Sequence, residues 1–386
     1  MRVLVVGAGL GGLTAALALD AAGIEVEVHE QAAALGEVGA GLTLSRGAQH
    51  VLAEIGLLGE VLARASAVRS NAFLHYRTGQ LLDGGVDASD GAPADATEVG
   101  PNVQMHRADL HAVLADALTR RAPAALLLGQ VLVDVEDLGD RVRARFADGS
   151  SADGDLLVGA DGLRSVVRRH LWGDGLPRFT GQVAFRALVP GPLAAPFVAG
   201  IGRAAVYLGP GRVFNRYVLR QGALVNCVAI ARTDSWRDEG WTTPATGDEL
   251  ASLYNGWHPD VLGLIGAAPT LTKWALYDRE PLPRWRRGRV TLLGDAAHPM
   301  LPFLGLGAAM AIEDGIVLAR ALAASPDTDG LVRYEAARRP RTTEVMLQSR
   351  HEGTLVQARD PDAFVPATAP SRNATYYDFD PAHITV

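Results

Sequence analysis

The stretch Arg2-Val-Leu-Val-Val-Gly-Ala-Gly-Leu-Gly-Gly-Leu-Thr-Ala-Ala-Leu-Ala-Leu-Asp-Ala-Ala-Gly-Ile-Glu-Val-Glu-Val-His-Glu30 reads as strand, glycine turn, helix and second strand. Val3 to Val6 are apolar and β-favouring, and the Leu/Ala run that follows Gly12 is strongly helical. Between them Gly7, Gly9 and Gly12 stand in G-x-G-x-x-G spacing. Gly7 allows the tight turn, Gly9 lets the backbone approach a pyrophosphate, and Gly12 lets the helix pack close to the strand. Glu30 ends the second strand, where a carboxylate can accept hydrogen bonds from ribose hydroxyls and would repel a 2′-phosphate. A glycine turn alone is weak evidence. With the strand, helix and terminal acid in register it predicts a dinucleotide-binding βαβ unit.

A second stretch repeats the logic near the other end of the chain: Arg289-Val-Thr-Leu-Leu-Gly-Asp-Ala-Ala-His-Pro-Met-Leu-Pro-Phe-Leu-Gly-Leu-Gly-Ala-Ala-Met-Ala-Ile-Glu-Asp314. Val290 to Leu293 form a strand, Gly294, Pro299, Pro302, Gly305 and Gly307 punctuate a loop, and Ala308 to Leu322 are helical. Such a loop brings free backbone N–H groups to a helix N-terminus, where they favour an anion or an electron-rich ring edge.

Composition narrows the class. The 386 residues exceed one ordinary core, so two domains are expected; 48% hydrophobic and 20% charged residues exclude a disordered chain. The net charge of −7, without long basic runs, excludes nucleic acid as a partner. Cys227 is the single cysteine, which rules out internal disulfides and cysteine metal sites, predicts no bound metal and suits a reducing cytoplasm. No run of about eighteen apolar residues predicts a membrane span, and the glycine-rich N-terminus is no signal peptide.

Along the chain, a glycine-dense loop, Gly36 to Arg46, leads to a helix over Gly47 to Leu58, and Asp83 to Gly100 is the expected flexible surface segment. Arg107 sits just before a helix that runs to about Arg121. Strands are expected at Leu126–Leu128, Asp134–Glu136, Val142–Phe146 and Leu156–Gly159, with Asp148-Gly149 as a hairpin turn and Asp161-Gly162 ending the last strand. From 178 to 273 the pattern becomes antiparallel sheet, with strands near Gln182–Val189, Ala204–Leu208, Val213–Leu219 and Leu224–Ala231. This predicts an α/β chain with a discontinuous Rossmann-like domain over 1–70, 101–177 and 274–355. An antiparallel-sheet domain follows from 71–100 and 178–273, and 356–386 form a C-terminal tail. A ligand cleft is expected between the domains. Strand alternation puts Val213, Asn215, Tyr217 and Leu219 on one face and Phe214, Arg216 and Val218 on the other, one of which should face that cleft.

Three motifs in this order, Gly7-x-Gly9-x-x-Gly12 with Glu30, Gly159-Ala-Asp-Gly162 and Gly294-Asp295-Ala-Ala-His-Pro299, resemble the group A flavoprotein monooxygenases of the para-hydroxybenzoate hydroxylase fold. The match spans nearly the whole chain. It looks closest to the salicylate hydroxylase and 6-hydroxynicotinate 3-monooxygenase branch, through Gly39-Ala-Gly41, Thr180-Gly-x-x-Ala-Phe-Arg186, Ile312-Glu-Asp314, Tyr334-Glu-x-x-Arg-Arg-Pro-Arg341 and Tyr376-Tyr-Asp-Phe-Asp380. The resemblance implies FAD as cofactor, NADH or NADPH as transient reductant and O2 as co-substrate. It implies that Gly7, Gly9, Leu10 and Gly12 carry the pyrophosphate, Glu30 with Gln31 the adenosine ribose, and Asp295 the ribityl and pyrophosphate region. Arg107 would contact FAD, and Asp161 would serve both FAD and the nicotinamide coenzyme. Pro302, Gly305, Leu306, Gly307 and Ala308 would lie against the isoalloxazine with N–H groups facing its N1/C2=O edge, which becomes anionic on reduction. His298 would support the FAD loop.

The implied chemistry is transfer of a hydroxyl group from a flavin C4a-hydroperoxide to an activated aromatic or heteroaromatic ring, in a pocket that excludes water. Tyr217 and Pro302 are the expected catalytic contacts, with Thr43, Arg186, Val213 and Phe303 around the substrate. The chain departs from the branch in that pocket: Val213 stands where relatives often place a histidine, Ser45-Arg46 replace Pro-Asn, and Leu306 replaces a glutamine. Those departures predict a less polar pocket and leave room for a larger substrate than a monocyclic hydroxy acid. Epoxidation, a Baeyer–Villiger outcome or a non-catalytic aromatic-binding flavoprotein stays open. A halogenase does not fit, because the sole lysine is Lys273 and the Trp-x-Trp-x-Ile-Pro segment is absent. A monomer or homodimer acting on a small aromatic molecule is expected.

Overall fold

The computed structural model describes residues 1–36, 41–67, 71–83, 98–173, 175–198, 204–233, 236, 243–357, 361, 376–377 and 379–386. Strands β1 (Arg2–Val6), β2 (Glu25–Glu30), β8 (Leu126–Leu128), β12 (Leu156–Gly159) and β19 (Val290–Leu292) form a parallel sheet in the order β19-β12-β1-β2-β8. The central strand pairs Val3 with both Leu156 and Val26, and Val3, Leu4 and Val5 are sealed from solvent. That is why its sequence is continuously apolar rather than alternating.

Helix α1 (Leu10–Ala21) is buried on every side through Leu19, pressed between α4 (Arg107–Arg121) and α9 (Gly307–Ala324). The contact with α9 depends on missing side chains. A β-carbon on Gly11 would come within 2.7 Å of Leu293 and 3.0 Å of the Ala311 β-carbon, and one on Gly315 within 2.7 Å of the Ala15 nitrogen. Helix α10 (Thr328–Val356) covers α9 from outside. A small sheet, β3 (Gly41–Leu44), β7 (Val103–His106) and β4 (Ser66–Ala67) in order β3-β7-β4, lies beside this core. The meander β9 (Leu132–Asp137), β10 (Val142–Phe146) and β11 (Ser151–Gly154) forms a further three-stranded sheet, with β9 against α5 (Val166–Trp172). Gly149 makes the β10–β11 turn at φ +88°, as its Asp-Gly signal predicts.

The expected helix over Gly47–Leu58 is two helices, α2 (Arg46–Glu54) and α3 (Leu58–Leu62). Gly56 adopts φ +72°, and Gly56 N–H and Leu57 N–H donate to the Ala53 and Leu52 carbonyls. This paired closure ends α2 and leaves three residues before α3 begins.

The second sheet has eight strands in the order β17-β18-β13-β16-β15-β14-β5-β6: β5 (Asn71–His75), β6 (Leu81–Asp83), β13 (Arg178–Pro190), β14 (Ala204–Gly209), β15 (Arg212–Leu219), β16 (Leu224–Arg232), β17 (Thr243–Ala245) and β18 (Leu271–Asp278). Only the β14–β5 pair is parallel among these described strands. Strand β18 runs through the boundary expected at 273, so the sheet continues to Asp278. Phe185, Tyr207 and Phe214 point from one face into a core shared with α6 (Gly191–Ala194), α7 (Gly247–Leu253) and α8 (Pro259–Gly266). The opposite face carries Ala184, Val213 and Ile230 towards Leu301, Phe303 and Val356. The Val213, Asn215, Tyr217 face is therefore the one turned to the first sheet's loops. Most of the expected flexible segment and of the C-terminal tail, and Gly39-Ala40, lie outside the described residues.

Gly315→Ala should lower the thermal midpoint by several degrees, since the added methyl must push α9 off the α1 backbone at a penalty of about 1–3 kcal/mol. Differential scanning fluorimetry reads this; an unchanged midpoint would show that the crossing is loose.

Candidate active site

The glycine turn, Glu30, the Asp161 turn and the Gly294 loop all leave the carboxyl edge of the parallel sheet, where open α/β sheets bind ligands. Gly7 sits at φ +103°, and a β-carbon there would come within 2.5 Å of the Ala160 carbonyl oxygen. A β-carbon on Gly12 would lie 2.0 Å from the Gly7 carbonyl oxygen, so the helix starts against the turn itself. Gly9 differs: among the described residues no atom beyond its chain neighbours lies within 4 Å of its β-carbon position. No side chain caps α1 and no acidic residue occupies its first turn, and the same is true of α9. Two helix N-termini thus present backbone donors with no side-chain cap among the described residues, the cradle that a pyrophosphate and a flavin ring edge require.

Glu30 closes the turn from the other side. Its carboxylate accepts from Ala8 N–H at 2.7 Å and Ala32 N–H at 2.9 Å, which aims it at the glycine loop. Gln31 is exposed beside it, and Leu10 is buried as the first residue of α1. Arg107 is exposed at the start of α4, where His106 caps the helix by accepting from Ala108 N–H. His111, one turn on, meets the Ala8 carbonyl at 2.7 Å and ties α4 to the glycine turn. Asp161 caps α5: Ser165 Oγ and the N–H groups of Val166 and Val167, at 2.7 and 3.1 Å, donate to it. Burial raises its carboxyl above the usual range, against the pull of these donors.

Asp295 is exposed between buried neighbours. Its loop is fixed from below by a group of sealed charges. Asp314 accepts from Gly294 N–H at 3.0 Å and from Arg338 Nε at 2.7 Å, and meets His298 Nε2 at 2.5 Å. Arg338 also pairs with Glu313 at 2.9 Å, and Arg341 reaches Glu313 at 3.2 Å. Arg168 supports the same loop by donating to the Ala296 and Ala297 carbonyls, each at 3.2 Å. Burial alone would raise the Asp314 carboxyl, but His298 and Arg338 outweigh it and hold it at about 2. His298 therefore stands under the loop that carries Asp295.

The following segment forms a tight turn: Gly305, at φ +66°, donates to the Pro302 carbonyl at 3.1 Å. Pro302 and Gly305 are exposed, Gly307 and Ala308 half-buried, and the Leu306 side chain is packed into the core, leaving its backbone to line the loop. Tyr377 Oη donates to Leu304 and Ser349 Oγ to Leu301, so the tail and α10 clamp the turn. Thr43 Oγ1 lies 4.0 Å from the β-carbon position of Gly305. Phe303 packs on Gly353 and shares an apolar cluster with Val213. The Tyr217 ring lies on Gly41, where a β-carbon would come within 2.3 Å of it, and burial pushes its phenol well above the usual range. The Arg186 guanidinium stacks 4.3 Å from the Trp274 ring centre on the same sheet face. The structure thus joins Thr43 to the Gly305 turn, Val213 to Phe303, Tyr217 to Gly41 and Glu30 to the glycine turn, with Arg107 next to the residue paired with Gly41.

Sequence reasoning passes over Arg168, His111, Gly11 and the partners of Asp314; only the Glu-Asp and Arg-Arg-Pro-Arg signatures hint at the last. It also passes over the clasp at the β15–β16 turn. There Arg220 and Gln221 adopt φ 48° and 56°, Arg220 holds Asp109 at 2.7 and 2.9 Å, and Gln221 N–H donates to Ser66 Oγ.

A glycine-turn cradle at the carboxyl edge of a parallel sheet, with an antiparallel sheet turned towards its loops, is the arrangement of a dinucleotide-binding fold. The FAD binding domain family model matches residues 1–349, and the chain belongs to that family. It is 39% identical to 3-amino-4-hydroxybenzoate 2-monooxygenase of Streptomyces platensis over 91% of this chain and 87% of that protein. It is 34% identical to 6-hydroxynicotinate 3-monooxygenase of Pseudomonas fluorescens over 93% of this chain and 92% of the relative. Among solved structures, a salicylate hydroxylase substrate complex superposes with a TM-score of 0.84 and 27% identity, covering 99% and 96% of the two chains. The chain is an FAD-dependent monooxygenase of the aromatic hydroxylase class, using O2 and a nicotinamide reductant.

Asp314→Asn should destabilise the protein by about 3–5 kcal/mol at neutral pH, because it leaves Arg338 short of a buried counter-charge. A carboxyl held low in the folded state contributes stability above its ordinary value of about 4 and loses it as pH falls towards 2. The gap in thermal midpoint between wild type and variant should therefore be constant from pH 7 down to about 4 and narrow below it. A gap that stays open at pH 2 would remove Asp314 from this role.

Proposed function

We propose that this monooxygenase hydroxylates a small aromatic or heteroaromatic acid in the cleft between the 302–308 turn and the Val213, Asn215, Tyr217 face. The observation that carries this is the shared apolar cluster of Phe303 and Val213, bordered by Tyr217 and the stacked Arg186. It would shield a planar ring from water beside the turn while Arg186 offers a cation to a carboxylate. In this proposal residues 1–70, 101–177 and 279–355 act as the FAD-binding unit and 71–100 with 178–278 as the substrate unit, the boundary following the end of β18.

Gly7, Gly9, Leu10 and Gly12 offer N–H groups and open space to the FAD pyrophosphate. Glu30 and Gln31 would hold the adenosine ribose, and Arg107, Asp161 and Asp295 would hold the remainder of FAD. The N–H groups of Gly305 to Ala308 would serve the flavin ring edge. When bound, reduced FAD activates O2 so that one oxygen atom reaches the ring and the other leaves as water, with NADH or NADPH supplying two electrons. Pro302 backs the reacting centre through its carbonyl turn. Tyr217, kept protonated by burial, donates a hydrogen bond to the substrate rather than acting as a base. Val213 removes the imidazole that relatives often place there, so the substrate hydroxyl must enter already ionised or stay neutral. Its only cysteine, Cys227, is buried and raised to about 12, which suits a cytoplasmic monomer or homodimer without redox control at that thiol. Among the described residues no helix is long and apolar enough to cross a membrane.

Anaerobic reduction by NADH and by NADPH, with 3-amino-4-hydroxybenzoate, 6-hydroxynicotinate, salicylate or no addition, tests the proposal. One compound should accelerate reduction at least tenfold and be hydroxylated when oxygen is admitted. If none does, the aromatic-acid proposal fails and larger apolar substrates, where epoxidation or Baeyer–Villiger chemistry applies, take its place. Val213→His should shift the pH dependence of turnover towards lower pH by supplying a proton acceptor, and a profile unchanged across pH 6–9 would refute the proposed place of Val213.

A further inference from the structure

The cleft face of the eight-stranded sheet carries a polar patch built by cross-strand register. Tyr217 pairs with Asn226, while Asn215 and Arg186 both pair with Val228. Asn226 is the member of that patch without a place in the site described above. It is fully buried, and its Oδ1 accepts from Gly41 N–H at 3.1 Å. A backbone N–H can only donate, so the atom facing Gly41 must be the carbonyl oxygen, and the amide cannot be turned over. Its Nδ2 therefore points away from Gly41, and it has no hydrogen-bond partner among the described residues. A buried NH2 group held in one orientation without an acceptor is a rare exception in folded proteins and calls for a ligand or a function. Here it lies beside Tyr217 and Leu188, on the face that looks towards the flavin turn. Holding Gly41 accounts for one end of the amide and leaves the other unexplained.

We propose that Asn226 Nδ2 is a fixed, neutral hydrogen-bond donor to an oxyanion substituent, carboxylate or phenolate, of the aromatic substrate, and thereby sets substrate specificity. The contact rests on the aromatic-acid proposal above. It gives the pocket a donor that recognises a negative oxygen without accepting a proton, which is the demand left when Val213 supplies no base. A donor-only group with its carbonyl locked favours ring oxygens that carry charge over ring amines, which need an acceptor.

The test uses the FAD-loaded full chain and three probes: 3-amino-4-hydroxybenzoate, 3-aminobenzoate without the hydroxyl, and 2-aminophenol without the carboxylate. Dissociation constants are read from the change in flavin absorbance. Asn226→Asp keeps an acceptor for Gly41 N–H and replaces only the donor. It should weaken 3-amino-4-hydroxybenzoate by about 10–100-fold at high pH, with recovery as pH falls and the new carboxyl becomes protonated and can donate. The analogue that lacks the contacted oxygen should be unaffected, which tells carboxylate from phenolate. Asn226→Ala, read as the ratio of parent to analogue affinity, gives the same discrimination where the aspartate disturbs FAD loading. Equal weakening of all three probes, or none, overturns the contact and leaves Asn226 a support for Gly41. If wild type binds none of the probes, the aromatic-acid proposal itself falls, and this contact with it.

Discussion

The Asp314 carboxylate is the point on which the flavin side of the molecule depends. Three donors converge on it, Gly294 N–H and His298 from the loop and Arg338 from α10. All of these groups are out of water, so each charge needs its partner and none can move alone. The loop that carries Asp295, and the turn from Pro302 to Gly305 beyond it, are set by that closure. Without it, the backbone donors at the start of α9 would point at no common target.

A second constraint is the closeness of the two sheets. Tyr217 lies on Gly41, Asn226 receives the Gly41 N–H, and Arg220 grips Asp109 two residues after Arg107. Each contact joins the substrate-facing sheet to a segment near the nucleotide groove. The left-handed backbone at Arg220 and Gln221, unusual for residues with side chains, persists because partners on α4 and β4 hold it. On the remaining side, Tyr377 and α10 press the 302–305 turn down. The cleft is thus enclosed by three separate parts of the chain, which suits chemistry that water would short-circuit.

The first nucleotide unit was legible because its determinants are local. Gly7 and Gly12 are required by a turn of six residues, and the Leu/Ala run of α1 declares both its helicity and its burial. The antiparallel strands from β13 to β16 were legible for the same reason, through alternation and short turns. The single helix expected over Gly47–Leu58 failed because a glycine can end a helix or sit inside one, and only the Leu57 to Leu52 bond decides which. The edge of the substrate sheet was misplaced within β18, whose pairing with β13 is formed across roughly ninety residues of intervening chain.

What the amino-acid order determined by itself was therefore the βαβ fingerprint, the class of each main element, and the kinds of group offered to a flavin and an aromatic ring. Which groups meet was decided only by tertiary structure. The order of residues could not show that Arg168 would reach the Ala296 carbonyl, that the Val213 face rather than the Phe214 face would meet Phe303, or that Asn226 would be buried with one end of its amide locked. Turn and helix signals act over a few residues through backbone sterics and hydrogen bonds. Buried charge pairing and cleft chemistry depend on segments far apart in the chain, and desolvation acts on them only once the fold has brought them together.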